Sequence, residues 1–179
     1  WSALVNLWVA GQVEAFRLLA GKAVARWVGV EMAIRERGPS GLPQFEDASI
    51  PFLQLLDLYA EFGDAVVRVG TYQNDDAWGL RLDGVRTIPD WPTEEGSISR
   101  IRHLAELPAG LIMGVDSVLD ASGDLVELTL RLAAGSLVIR AGEVYEEPGG
   151  EFCVVHPDES VLASVVLGSG RGALANEKC

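Results

Sequence analysis

The side chains best suited to catalysis or metal binding are few in this sequence. It has two histidines, His103 and His156, and two cysteines, Cys153 and Cys179. Cys153 and His156 are three residues apart, and on a β-strand that spacing directs two side chains to opposite faces. They could not share a metal ion without a bend in the chain. No residue near Cys153 would lower the pKa of its thiol, so we interpret it as a buried structural residue rather than a nucleophile.

Motifs of the common catalytic classes are missing from the sequence. It contains no Gly-x-Ser-x-Gly, no phosphate-binding glycine-rich loop with a lysine, and no His-Glu-x-x-His. The glycine-rich stretch 168–172 follows no helix-opening pattern and is interpreted as part of a flexible tail. Acidic residues are numerous enough that chance proximity of two is expected, and no carboxylate pair is singled out for acid–base work. The sequence therefore predicts no catalytic residue, no metal and no cofactor, and it favours a non-enzymatic protein.

The most informative pattern is an internal repeat. Residues 53–70 align with residues 125–142 at a constant offset of 72, without a gap. Upstream, residues 11–20 resemble residues 96–105 at a larger offset, so the extra residues of the first copy are assigned to the loop-like stretch 35–49. The identical pairs of the gapless alignment are Leu53/Leu125, Leu56/Leu128, Leu58/Leu130, Gly63/Gly135, Val66/Val138, Arg68/Arg140 and Gly70/Gly142.

The repeat predicts how the chain is organised. Two copies would be joined by a linker whose two prolines cannot donate hydrogen bonds to a sheet. We expect one compact domain overall, since a chain of this length suits one domain or two small ones. Its predicted parts are an N-terminal β repeat at 1–88 that includes a helix at 1–10, a linker at 89–95, a second β repeat at 96–167 and a flexible tail at 168–179.

Alternating apolar and polar residues predict strands in both copies. Leu128, Leu130 and Leu132 alternate with polar residues, and the turn-like Ala134-Gly135-Ser136 follows. Residues 52–62 also fit an amphipathic helix, and the repeat favours the strand there. Further strands are predicted at 13–19, 24–34, 78–82, 98–104, 111–119, 152–155 and 160–167.

The predicted fold class is mainly β, with a β-rich α+β fold as the alternative. Two similar antiparallel β-meanders would be related by a pseudo-twofold axis. Apolar residues at Trp1, Leu4, Val5, Trp8 and Val9 have helix spacing, so a short N-terminal helix is expected, although Val and Trp also favour strands.

The candidate binding surface also comes from the repeat. In each copy the shared glycine, Gly70 or Gly142, is followed by aromatic and acidic residues that we expect to form a loop. Tyrosine and tryptophan supply rigid contact area, and carboxylates supply charge complementarity, a combination suited to protein recognition. The alternative is an ordinary hairpin turn whose tyrosine packs on the sheet edge. The predicted partner-binding residues are Tyr72, Gln73, Asp75, Asp76, Trp78, Tyr145, Glu146 and Glu147.

Charge indicates what kind of partner would bind. The 179 residues include 26 acidic and 14 basic ones, which give a formal net charge of -12. Such a surface repels phosphate backbones and disfavours nucleic acid, while it attracts a basic protein. In size and acidity the chain resembles the immunity proteins of bacterial toxin–immunity pairs, which implies an inhibitor of a basic protein. That resemblance is one of composition and size.

The N-terminal segment and the cysteines bear on location. The apolar stretch 1–10 lacks a basic leader and is followed by charged residues, so neither a membrane span nor a signal peptide is predicted. Two cysteines do not form a disulfide framework, and a cytoplasmic location is therefore expected.

Two alternatives to a binding protein remain at this point. A small molecule could be bound, or an enzyme built, in a pocket between the two copies, where Trp27, Trp78 and Trp91 could line the walls. Exposed strand edges could instead pair with other chains and form an oligomer. The oligomeric state is not predicted by the sequence.

Overall fold

The computed structural model describes residues 2–92 and 94–168. The fold is mainly β with one N-terminal helix, which confirms the predicted fold class. Thr93 of the predicted linker, and Trp1 and residues 169–179 of the predicted helix and tail, lie outside the described residues. Among the described residues no helix is long and apolar enough to cross a membrane. The elements are α1 Ser2–Arg17, β1 Ala23–Val24, β2 Arg26–Met32, β3 Leu53–Glu61, β4 Val66–Asn74, β5 Ala77–Val85, β6 Ser99–His103, β7 Gly110–Leu119, β8 Leu125–Leu132, β9 Gly135–Glu146 and β10 Phe152–Val166.

All strand pairs are antiparallel, and the main path of the sheet runs β1-β7-β8-β9-β10-β3-β2-β6. Strand β3 forks this sheet. Its first residues, Leu53–Leu55, pair with β10, whereas Leu58–Glu61 pair with β4, and β5 follows β4. The β4–β5 hairpin consequently leaves the main path and packs across β8, β9 and β10.

One large apolar core lies between these layers and draws on both predicted copies. Trp27 is buried within it and donates its indole N–H to the carbonyl of Pro108 over 2.8 Å. Burying side chains of this size is the main favourable contribution to folding. The largest fully buried side chains are Trp27, Phe16, Leu55, Leu58, Leu80, Leu104, Ile112, Leu125, Leu128, Leu130, Leu137 and Ile139.

Helix α1 is longer than predicted, and the strand expected at 13–19 is wrong. The helical spacing of Val5 and Val9 continues through Val13 and Phe16, so one face of the helix packs on the core. The side chain of Gln12 also accepts the backbone N–H of Leu82 in β5 over 2.8 Å. The helix thus covers the edge of β5 and stays helical to Arg17 because its apolar face remains in register with the core.

The pseudo-twofold relation between the copies is not confirmed. Both repeated segments form hairpins, but the hairpins differ in register, since Leu58 pairs with Val69 whereas the aligned Leu130 pairs with Leu137. The upstream match fails more clearly. Of the matched segment 11–20, residues 11–17 belong to α1, whereas the matched segment 96–105 contains β6. Shared apolar spacing therefore produced similar hairpins without a demonstrated symmetry.

Candidate functional site

The segments predicted to be aromatic and acidic loops are mostly strand. Tyr72 and Gln73 lie in β4, and Trp78 lies in β5, with Asp75 and Asp76 in the tight turn between them. In the second segment, Tyr145 and Glu146 end β9 and Glu147 begins the turn to β10. The expected loops are therefore two hairpin ends.

Tyr72 is held by its surroundings. Its hydroxyl donates to Asp124 Oδ1 over 2.7 Å, and its ring meets that of Trp8 edge to face at 4.7 Å between centroids. The ring lies over Gly79, where a Cβ would come within 2.4 Å of it. Burial, and then the hydrogen bond to Asp124, raise the pKa of Tyr72. This tyrosine therefore packs between β4, β5 and α1, and its hydroxyl is tied to Asp124, the residue before β8.

Tyr145 is in the opposite situation. It is 45% exposed, and its hydroxyl donates to Asp158 Oδ2 over 2.8 Å. Desolvation of the hydroxyl, followed by this hydrogen bond and the charge of Asp158, raises the pKa of Tyr145 to about 12. Its ring is available to a partner while its hydroxyl is oriented by an acidic neighbour.

That neighbour belongs to a bulge in β10. Val155 and Ser160 pair with the adjacent residues Glu143 and Gly142 of β9, so residues 156–159 are extruded from the ladder. Gly142 lies directly beneath the bulge, where a Cβ would come within 2.6 Å of Leu162 and 3.1 Å of the Val155 carbonyl. A bulge re-aims side chains, and here it brings Asp158 beside Tyr145.

We call Glu143, Tyr145, Asp158 and Glu159 the bulge surface. Glu143 is half-buried and accepts a hydrogen bond from the hydroxyl of Ser160. Burial, together with the negative charges of Glu159 and Asp158, raises the pKa of Glu143 to about 7, against the opposing hydrogen bond from Ser160. Near neutral pH this carboxyl is therefore only partly ionised.

The other predicted hairpin reaches the same surface. The hydroxyl of Thr71 in β4 donates to the backbone carbonyl of Glu159. Thr71 and Gln73 share one face of β4 because side chains alternate along a strand, and Gln73 pairs with Trp78. The two predicted segments are thus linked through the bulge, although Tyr72 itself faces the other way.

The bulge surface is acidic, and the described part of the chain places no paired cation on it. No Lys or Arg forms an ion pair with Glu143, Asp158 or Glu159 in the described ranges. Glu146, by contrast, is bound by Arg35 Nε at 3.0 Å. Of the predicted site residues, Tyr145 therefore contributes to the bulge surface. Glu146 is instead ion-paired with Arg35 at the end of β9.

Sequence reasoning missed Glu143, Asp158 and Glu159. A usable signal existed, because strands were expected at 152–155 and 160–167 with an interruption at His-Pro-Asp-Glu. The structure joins the two into one strand, and the interruption is the bulge. What the pattern could not give is which side of the sheet the acids would occupy.

The groups considered for metal or nucleophile chemistry are placed elsewhere. Cys153 is buried within β10, three residues before His156 at the start of the bulge. Cys153 is disulfide-bonded, which was not expected from the sequence. No group of three or more His, Cys, Asp or Glu in the described part of the chain could hold a metal ion.

A cleft of about 570 Å³ lies at the other end of β10. It is bounded by residues 46–53, 106–107 and 163–165, so both predicted copies contribute to it. None of the tryptophans expected to line an inter-copy pocket is present there, because Trp27 is in the core, Trp78 is on β5, and Trp91 packs beside Val28, Val30 and Tyr59.

The comparisons with known proteins give no match to a family model, a curated protein or a solved structure.

Proposed function

We propose that this protein is a non-enzymatic binding protein that docks a basic protein partner, in the manner of an inhibitor or immunity protein. The observation that carries the proposal is the bulge surface, where three carboxylates lie around a tyrosine that is 45% exposed and no Lys or Arg of residues 2–92 and 94–168 pairs with them. Charge left uncompensated within a chain is available to a partner of opposite sign.

The geometry suits recognition in two ways. Tyr145 offers a ring whose hydroxyl is already fixed by Asp158, so little side-chain entropy would be lost when a partner contacts it. A partner cation placed near Glu143 would favour its ionised form and so contribute binding energy. The net charge of -12 would further speed encounter with a basic protein.

The test combines capture with matched charge variants. The protein is immobilised at low ionic strength, retained proteins are identified, and the association rate of the purified partner is measured against salt concentration. We expect Asp158→Lys with Glu159→Lys to lower that rate at least tenfold at low salt, because local attraction becomes repulsion.

The control is Asp64→Lys with Asp90→Lys, two exposed positions outside the bulge surface that change the net charge equally. We expect it to lower the rate less than threefold. Equal losses in the two double variants, or the retention of no basic protein, would refute the proposal.

A further inference from the structure

The cleft at the end of β10 contains an open edge of the sheet. Strand β10 pairs with β3 only as far as Ala163, opposite Leu53, and continues to Val166 with β9 alone. The chain that becomes β3 leaves this edge at Pro51, which has no backbone N–H to donate. Along the described chain, Ser164–Val166 therefore lack a strand partner on the side where β3 would have continued.

The departing chain forms the opposite wall of the cleft. Residues 46–53 bend away from the sheet, and the space between them and β10 is the cleft. Ile50, Phe52, Leu107 and Val165 give it an apolar lining. An apolar cleft beside an unpaired strand edge is the arrangement that proteins use to bind an extended peptide as an additional strand.

The charged residues that line the cleft are all acidic. They are Glu46, Asp47 and Glu106, and the side chain of Glu46 is 69% exposed. Arg102 contacts two of them, Glu106 in a bidentate pair and Glu46 at 3.7 Å, but it is also bound to the buried Glu31. Arg35 also acts on Asp47 by its charge, but Arg35 is ion-paired with Glu146. Both arginines are thus shared with carboxylates outside the cleft, so the mouth of the cleft stays negative.

We propose that this cleft binds an extended peptide segment carrying lysine or arginine, and adds it as a strand to the free edge of β10. The inference goes beyond the proposed function, because the cleft shares no residue with the bulge surface. Backbone hydrogen bonds to the Ser164–Val166 edge supply affinity without regard to sequence. Alternate side chains then meet different surroundings, apolar ones the lining and cationic ones Glu46 and Asp47.

The length of the peptide follows from strand geometry. The open edge of three residues spans about 10 Å, and the cleft extends beyond it along residues 46–50. A segment of roughly five to seven extended residues would fill it.

The test uses a fluorescein-labelled peptide, Lys-Val-Lys-Val-Lys-Val-Lys, and the full chain. Binding is followed by fluorescence anisotropy, and the contact is located from amide chemical shifts in NMR spectra. We expect saturable binding, with the largest backbone shifts at Ser164–Val166. Glu46→Lys should weaken it about fivefold, since a cation then replaces the exposed carboxylate at the mouth.

The matched control is Glu151→Lys, which makes the same charge change in the exposed turn between β9 and β10. It should weaken binding less than twofold. Two further peptides of the same sequence separate backbone hydrogen bonding from charge attraction. One is N-methylated at the odd-numbered residues and the other at the even-numbered residues. We expect one of these two peptides to bind at least tenfold more weakly, because its N-methyl groups replace the N–H groups that would donate to β10.

Three outcomes would overturn the proposal. Equal weakening by Glu46→Lys and Glu151→Lys would mean attraction by net charge alone. Binding of N-acetyl-lysine methylamide as tight as that of the peptide would mean a site for a small cation. Shifts confined to residues 143–160 would move the peptide to the bulge surface. Because no natural partner is used, this inference and the proposed function can fail separately.

Discussion

Two glutamates, Glu31 in β2 and Glu143 in β9, lie in contrasting electrostatic surroundings. Glu31 is 1% exposed, but Arg100 is its cross-strand neighbour at 3.3 Å and Arg102 binds its other oxygen. Glu143 is half-buried, and its neighbours across the bulge are Asp158 and Glu159. One carboxylate is neutralised by the strand beside it, whereas the other is surrounded by its own sign.

The comparison shows which acids of an acidic protein are free to act. A buried carboxylate such as Glu31 is tolerated where the pairing of adjacent strands places an arginine beside it, and removing that arginine would destabilise the fold. Where the neighbouring strand places another acid beside a carboxyl, the pKa of that carboxyl rises, and a partner cation would restore its full charge. The bulge surface is one place in the described chain where carboxylates lie together without an ion-pair partner.

The largest expected effect comes from replacing one of the two arginines that pair with Glu31. We expect Arg102→Ala to lower the free energy of unfolding by about 3 kcal/mol, because Glu31 remains buried with one arginine at 3.3 Å. Urea unfolding followed by tryptophan fluorescence measures this.

Arg17→Ala removes the arginine of an exposed ion pair with Glu14 and serves as the control. It should leave the stability unchanged, since exposed pairs contribute little. Equal effects of the two substitutions would mean that the Glu31 pair is no more important than a surface pair.

The second test addresses Glu143. Its pKa of about 7 in the folded chain lies above its ordinary value of 4.5, so the folded state binds more protons between these values and loses stability as pH rises. Glu143→Gln should therefore be stabilising by about 1–2 kcal/mol at pH 8, a figure reduced for partial solvation, and neutral at pH 4.

Unfolding curves between pH 4 and pH 8 give the stability difference, and the ¹³C shift of the Glu143 carboxyl gives its pKa directly. Glu147→Gln, which neutralises an exposed carboxylate of the adjacent turn, is the control and should leave the free energy of unfolding unchanged at pH 8. A measured pKa below 5 for Glu143 would remove the contrast with Glu31.

The smallest expected effect is the difference in free energy of unfolding between Tyr72→Phe and Tyr145→Phe. Tyr72→Phe should cost about 1 kcal/mol, because the buried carboxylate of Asp124 loses its donor. Tyr145→Phe removes a more exposed hydrogen bond and should leave the free energy of unfolding unchanged within error. It should nonetheless weaken partner binding, because the ring orientation is no longer fixed by Asp158.

Thermal unfolding and the partner-binding assay together check this pair. If Tyr145→Phe destabilises the fold as much as Tyr72→Phe does, both tyrosines are structural and the bulge surface loses its aromatic anchor.

Local patterns in the sequence predicted much of the fold. Alternation at Leu128, Leu130 and Leu132 placed β8, and turn residues separated the hairpins. The prediction failed at 13–19, where helical spacing continued from α1. The expected symmetry of the two copies is not confirmed. Of the predicted site residues, only Tyr145 lies within the bulge surface, while Tyr72 and Glu146 are held by Asp124 and Arg35.

By itself the sequence determined that strands dominate and that acids outnumber bases, because alternation and composition are local properties. The tertiary structure decided which acids acquire a counter-ion. Arg100 reaches Glu31 only because β6 pairs with β2, 69 residues away in sequence. Asp158 reaches Tyr145 only because β10 bulges over Gly142. Coulomb interactions depend on distance in space, and that distance is set by strand register.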